Sequence, residues 1–248
     1  RFVISDNAIS KLTQLTELDL EYAYNVTDAG IANLTQLCKL SLCFNDKITD
    51  VGLRGLTNLT YLDITCSEMI TDYCLIRFTN LTVLNLQGND QITDKSLSVL
   101  TQLTDLNIVG NELITDVGLS TLTNLVRLDA SEWCNNVAGL STLTNLTDLE
   151  LGGCSNIMDN DIMSLINLTN LDISYCDQFT PTCFRLLTNI TNLNISSSSI
   201  NVITLYDVAL LTRLKILDYR SVQYAIDVIQ DGQIKSLTKT CRLCQRNV

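Results

Sequence analysis

Residues 79–100 read TNLTVLNLQGNDQITDKSLSVL, and two periods run through them. In Leu81–Leu86 the order L-x-x-L-x-L puts Leu84 and Leu86 on one side of an extended strand and Val83 and Asn85 on the other. Further on, Ile92, Leu97 and Leu100 are spaced as the apolar stripe of a helical turn. The opening Asn80-Leu81-Thr82 is also an N-x-T glycosylation acceptor, so the stretch reads either as an address for a sugar or as one turn of a building pattern.

The same frame recurs along the chain. Leu15, Leu37, Leu59, Leu81, Leu103, Leu125, Leu146, Leu168, Ile190 and Leu214 open successive units of 22, 22, 22, 22, 22, 21, 22, 22 and 24 residues. The fourth place is Leu in every unit, from Leu18 to Leu217. A single unit cannot bury both of its apolar stripes, so the units must stack, each adding one strand to a parallel sheet at about 4.8 Å spacing. The expected product is an α/β solenoid, curved, with the sheet on the concave face and short helices or helical turns on the convex face. Residues 1–14 read as the second half of a truncated unit, 15–213 as nine units, and 214–248 as a last unit with a cap that shields the final strand. The solenoid is one domain.

Composition restricts the chemistry. The 248 residues are 46% hydrophobic, with no run near the roughly 20 apolar residues that span a bilayer. A soluble chain without membrane contact is expected, and Arg1 opens it with no signal-peptide pattern, so any leader is absent or removed. A net charge of −11 counts against nucleic acid and favours a protein partner with basic or neutral surface. The chain has no His, which removes the commonest general base and the usual zinc ligand. No catalytic, cofactor or metal site is expected.

Thr27, Thr49, Thr71, Thr93 and Thr115 each precede an Asp, as a side-chain cap followed by a carboxylate at the positive end of a helical turn. In unit eight the pair becomes Thr180-Pro181, with Pro expected at the first helical position. The phrase ITDVGL, at Ile48–Leu53 and Ile114–Leu119, resembles the cysteine-containing class of the leucine-rich-repeat family, familiar from the substrate-binding half of F-box ubiquitin-ligase receptors. The resemblance implies a right-handed solenoid that binds a protein. The units are about four residues shorter than that class, and Cys holds the ninth place only at Cys154 and Cys176. Unit length and the phrase LTNLT resemble internalin-type bacterial repeats instead, which implies a surface adhesin or effector.

Eight sequons occur, at Asn25, Asn33, Asn58, Asn80, Asn145, Asn167, Asn189 and Asn194. Five share the last place of the unit, which also holds Gln14, Gln36, Gln102 and the acceptor-less Asn124. What the place requires is an amide, able to bond its neighbours or the adjacent backbone. Ten Cys without a recognisable disulfide cap at the start suit a reduced, cytoplasmic chain, with secretion or the cell surface as the alternative. Cys241 and Cys244 form a lone C-x-x-C, read as closing the last coil rather than as half of a redox or metal site.

The variable strand residues are the default binding surface of a stacked-repeat fold. Here they include Glu17, Asp19, Lys39, Tyr61, Asp63, Asp105, Arg127, Asp129, Asp148, Glu150 and Asp172, with Tyr22, Phe44 and Tyr175 at strand exits. Aromatic anchors beside charge are what interface hot spots contain. Asp in a strand is also an ordinary soluble choice. Units six and nine depart from the frame, as bends or as binding loops, and unit six carries the only Trp, Trp133, a candidate partner contact or a buried plug.

Overall fold

The computed structural model describes residues 4–133, 138–196 and 205–219. Cys241, Cys244, the expected cap and the insertion of unit nine lie outside these residues. The L-x-L core of each unit forms a three-residue strand: β1 (Glu17–Asp19), β2 (Lys39–Ser41), β3 (Tyr61–Asp63), β4 (Val83–Asn85), β5 (Asp105–Asn107), β6 (Arg127–Asp129), β7 (Asp148–Glu150), β8 (Asn170–Asp172), β9 (Asn192–Asn194) and β10 (Ile216–Asp218). They pair in chain order in one parallel, open, ten-stranded sheet. Equivalent places face one another across every step, as Leu40 faces Leu62 and Leu62 faces Leu84. A one-residue slip would turn the whole Leu column into solvent, so the apolar pattern fixes this register.

The inward Leu and Ile of the strands meet the stripe of the helical segments in one continuous core. Leu84, Leu86, Ile92, Leu97 and Leu100 are all buried. Most helical segments are a single four-residue turn, such as Asp50–Leu53 and Asp94–Leu97. Turns this short have no stability of their own and exist because they pack on the sheet.

The I-T-D-x-G-L phrase is a stacking device. Thr49 caps its own turn by accepting the Val51 N–H at 3.1 Å. Its N–H and hydroxyl both donate, at 2.8 Å each, to the two carboxylate oxygens of Asp28 in the preceding unit. The bond pair recurs from Asp50 to Thr71, from Asp72 to Thr93 and from Asp94 to Thr115. Gly makes room two places after the Asp, where a Cβ on Gly30 would lie 2.6 Å from an Asp6 oxygen, although Cys74 and Ser96 are accommodated at the same place. Where the phrase lacks Gly, Ser96 donates its hydroxyl to the intruding Asp72 instead.

Unit eight departs from expectation. Thr180 keeps the ladder, its N–H donating to Asp159 at 2.9 Å, but Pro181 sits in a turn and the helical segment, a 3₁₀ piece, begins only at Cys183. The Thr180 hydroxyl still accepts an N–H two residues on, at 3.2 Å from Thr182, so the cap persists without an α-turn.

Candidate functional site

Places three and five of each strand point away from the core. Place five runs Asp19, Ser41, Asp63, Asn85, Asn107, Asp129, Glu150, Asp172, Asn194 and Asp218. The column has a local task. Asp63 Oδ1 accepts the Thr65 N–H at 2.9 Å, Asn85 the Gln87 N–H at 3.1 Å, Asp129 the Ser131 N–H at 3.1 Å and Asp172 the Ser174 N–H at 2.8 Å. This is the Asx turn, a short side chain tying down the backbone two residues on. One oxygen closes the strand end. The second faces outward, where Asp172 Oδ2 accepts from Asn194 at 2.7 Å and Asp63 Oδ2 from Asn85 at 3.4 Å.

Place three supplies the cations, and both are paired. Lys39 lies 2.9 Å from Glu17, and Arg127 forms a two-nitrogen contact with Asp105. Both pairs are exposed, so each contributes little to stability but neutralises the positive groups of the face. Asp148 accepts from Asn170 across the next step. Between β3 and β7 the face holds a depression of about 330 Å³, lined among others by Tyr61, Val83, Asn85, Asp105, Arg127, Asp129, Asp148 and Glu150. Burial first, and then the charges of Asp63, Asp19 and Asp105, raise the Tyr61 hydroxyl above its ordinary pKa.

Past β1 to β8 the chain turns through a left-handed residue at place eight, Cys66 and Glu132 among them. Gly88, Gly110 and Gly153 hold it at φ of 63°, 70° and 80° without strain. Tyr22, Phe44 and Tyr175 hold it at φ of 56°, 56° and 58° despite their side chains, and all three are exposed. Tyr22 and Phe44 stack with ring centroids 5.0 Å apart and planes 7° apart, and Tyr24 lies tilted 6.3 Å from Tyr22.

Trp133 does not belong to this face. It is 1% exposed, and its indole N–H donates to the Ile114 carbonyl at 2.9 Å. It occupies the ninth place, where units two to eight each send a side chain inward to a carbonyl of the unit before. Asn45, Asn89 and Asn111 reach Ala23, Ser67 and Asn89, at 3.2, 2.9 and 2.6 Å. The shorter Ser67, Cys154 and Cys176 reach Leu42, Ala130 and Leu151, at 2.7, 3.1 and 3.0 Å. Trp133, the longest, reaches farther along the unit. Counting nine places from Leu125 would have marked it as a plug rather than a contact.

The last-place amides also bond backbone. Asn58, Asn145, Asn167 and Asn189 each donate to a carbonyl of the preceding unit at 2.9 Å. Asn124, which lacks the acceptor hydroxyl of a sequon, makes the same bond to Thr101 at 2.9 Å. The place therefore selects a donor amide whether or not it spells a sequon. Among the described residues, no group of three His, Cys, Asp or Glu is placed to hold a metal, and no helix is long and apolar enough to cross a membrane.

A leucine-rich-repeat family model matches residues 79–101 and 99–122. No curated protein matches the chain. Among solved structures, an internalin (inlF) of Listeria monocytogenes is similar at TM-score 0.70 and 23% identity, over 95% of this chain and 70% of that one. The functional domain of InlJ of Listeria monocytogenes, described as including a cysteine ladder, is similar at TM-score 0.64 and 28% identity, over 87% of this chain and 46% of that one. A TLR13 complex with single-stranded RNA is similar at TM-score 0.65 and 22% identity, over 87% of this chain and 34% of that one. The repeated frame and the ten-stranded parallel sheet give this chain the leucine-rich-repeat solenoid fold, and two of its repeats match the family model.

Proposed function

We propose that the chain is a non-enzymatic recognition module that binds a protein of basic surface through the outward face of the sheet, centred on β3 to β7. The observation that carries this reading is the charge arrangement of the depression. Its carboxylates Asp105, Asp129, Asp148 and Glu150 outnumber its one cation, and Arg127 is already taken by Asp105. Clefts lined by one sign of charge concentrate partners of the other sign and speed their association. The TLR13 complex indicates that the fold alone does not select the class of ligand. Charge does here: phosphate contacts draw on Lys and Arg that this face withholds.

The test uses Asp63→Asn, Asp129→Asn and Asp172→Asn together. Asn retains the oxygen that accepts the turn N–H, as Asn85 and Asn107 do natively, whereas Lys would break the turn as well as reverse the charge. A partner is captured on the immobilised domain, identified and purified, and its Kd is measured over a salt series. The triple variant is expected to bind at least about tenfold more weakly with a flatter salt dependence. Unchanged affinity would move the site off this face, and an RNA oligomer binding as well as the protein would overturn the partner class.

The role of the partner-binding chain has two readings. The F-box-receptor reading leans on ITDxGL, and in this fold that phrase is fully used by stacking one unit on the next. The internalin-like reading, an adhesin or effector acting on a host protein, is favoured by the 22-residue unit and the likeness to the inlF structure. No disulfide joins the seven cysteines of the described residues. Fractionation of the source cells decides between these readings: recovery from the surface or medium supports the second, and recovery with a ligase core the first.

A further inference from the structure

The stacked pair of Tyr22 and Phe44 stands at the strand exits, outside the core. A left-handed backbone costs a non-Gly residue of order 1 kcal/mol or more, and Gly serves the same place in β4 and β5 units. Cys66 and Glu132 bear the same backbone demand without a ring, whereas Tyr22 and Phe44 hold two large rings, 52% and 39% exposed, outside the core. Because the units stack in order, Phe44 has Tyr22 on one face and turns the other toward unit three. There the column shrinks to Cys66 and then to Gly88, and the Phe44 ring stays exposed. The surroundings are acidic. Burial first, and then Glu68, Asp63 and Asp90, push the Cys66 thiol up, and burial followed by Asp63 and Glu21 pushes Cys43 up to about 11. An aromatic face set among carboxylates is the arrangement that attracts an organic cation through both the ring quadrupole and charge.

We propose that the open face of Phe44 receives a single cationic side chain, Arg or Lys, of the protein partner. Asp63 and Glu68, whose charges reach the Cys66 thiol of the next unit, supply the negative field for the cation, and Tyr22 stiffens the ring from behind. The proposal rests on the reading of this chain as a protein-binding module and adds the chemical group that anchors the partner at the exit edge of the sheet. Charge complementarity selects the occupant: an apolar residue placed there would desolvate carboxylates without compensation.

The experiment titrates acetyl-Gly-Arg-Gly-amide, and its neutral citrulline counterpart, into the whole chain while the ring resonances of Tyr22, Tyr24 and Phe44 are followed by NMR. The Arg peptide is expected to shift Phe44 most and to saturate, and the citrulline peptide to leave it in place. Phe44→Leu keeps the bulk and the backbone demand but removes the ring, and should weaken binding about two- to fivefold, the range of an exposed cation–π contact. Phe44→Trp should tighten it, Trp being the better partner for a cation. Equal shifts with both peptides, or equal affinity of the Leu and Trp variants, would overturn the proposal. The Asp129→Asn, Asp172→Asn variant separates it from the strand-face reading. Phe44 shifts that survive there while the captured partner still binds normally leave this site standing and sink the other. Silent rings in a wild-type chain whose β3 to β7 amides respond do the reverse.

Discussion

Replacing Asn89 by Ala tests the ninth-place ladder. Asn89 is fully buried, its Nδ2 donates to the Ser67 carbonyl at 2.9 Å, and its Oδ1 accepts the Gln91 N–H at 2.9 Å. Ala leaves the Gln91 N–H, in an exposed turn, to water, and strips the Ser67 carbonyl, inside the stack, of the shorter of its two bonds, the Ile70 N–H remaining at 3.3 Å. Losing the buried bond costs about 1 to 3 kcal/mol. At this chain length that shifts Tm by about 2 to 12 °C. Urea unfolding is followed by far-UV circular dichroism and by Trp133 fluorescence, since a stacked-repeat chain can lose all-or-none behaviour and two probes reveal it. The matched control is Asn85→Ala, which loses its bond to Gln87 and a 3.4 Å contact to Asp63 on the wet face, costing about 0.5 to 1 kcal/mol. A cost for Asn89→Ala no larger than for Asn85→Ala would refute the argument, because it would mean that the inner amides are not needed by the carbonyls beneath them.

Two further outcomes follow from the same geometry. Gly118→Ala places a methyl against the Asp94 carboxylate and should cost about 1 to 3 kcal/mol by urea unfolding, while Gly118→Ser should cost less because its hydroxyl can donate to Asp94 as Ser96 does to Asp72. Equal costs would show that the clash is with backbone and not with the carboxylate. Burial first, and then Asp50, push the Cys74 thiol up to about 12, and burial holds Cys176 at about 11. The native state keeps these protons longer than the unfolded chain, so the urea midpoint should fall as pH rises from the ordinary thiol value of 9.0 toward 12. Alkylation of the native chain at pH 9 should spare both; modification of Cys74 as fast as in urea would contradict its burial.

The spacing of Leu and Ile was sufficient to reach the architecture, because a period of two followed by a helical stripe every 22 residues admits no arrangement but stacking. It also reached the residues that line the outward strand face, since alternation alone separates Asp63 and Asn85 from Leu62 and Leu84. What each polar residue does was decided by its neighbours in space. Asp28 looks like a helix-end charge in its own unit and is a receptor for Thr49 of the next; Asp63 looks like binding surface and gives one oxygen to its own turn. Trp133 looks like an anchor because it is rare, yet its place in the frame sends it inward to a carbonyl 19 residues away. The stack of Phe44 on Tyr22 joins residues 22 apart whose partnership no local pattern displays. Hydrophobic periodicity is a property of one segment and can be read along the chain; hydrogen bonds and ring contacts between coils depend on which atoms the stacking brings within about 3 to 5 Å, and only the folded solenoid sets that.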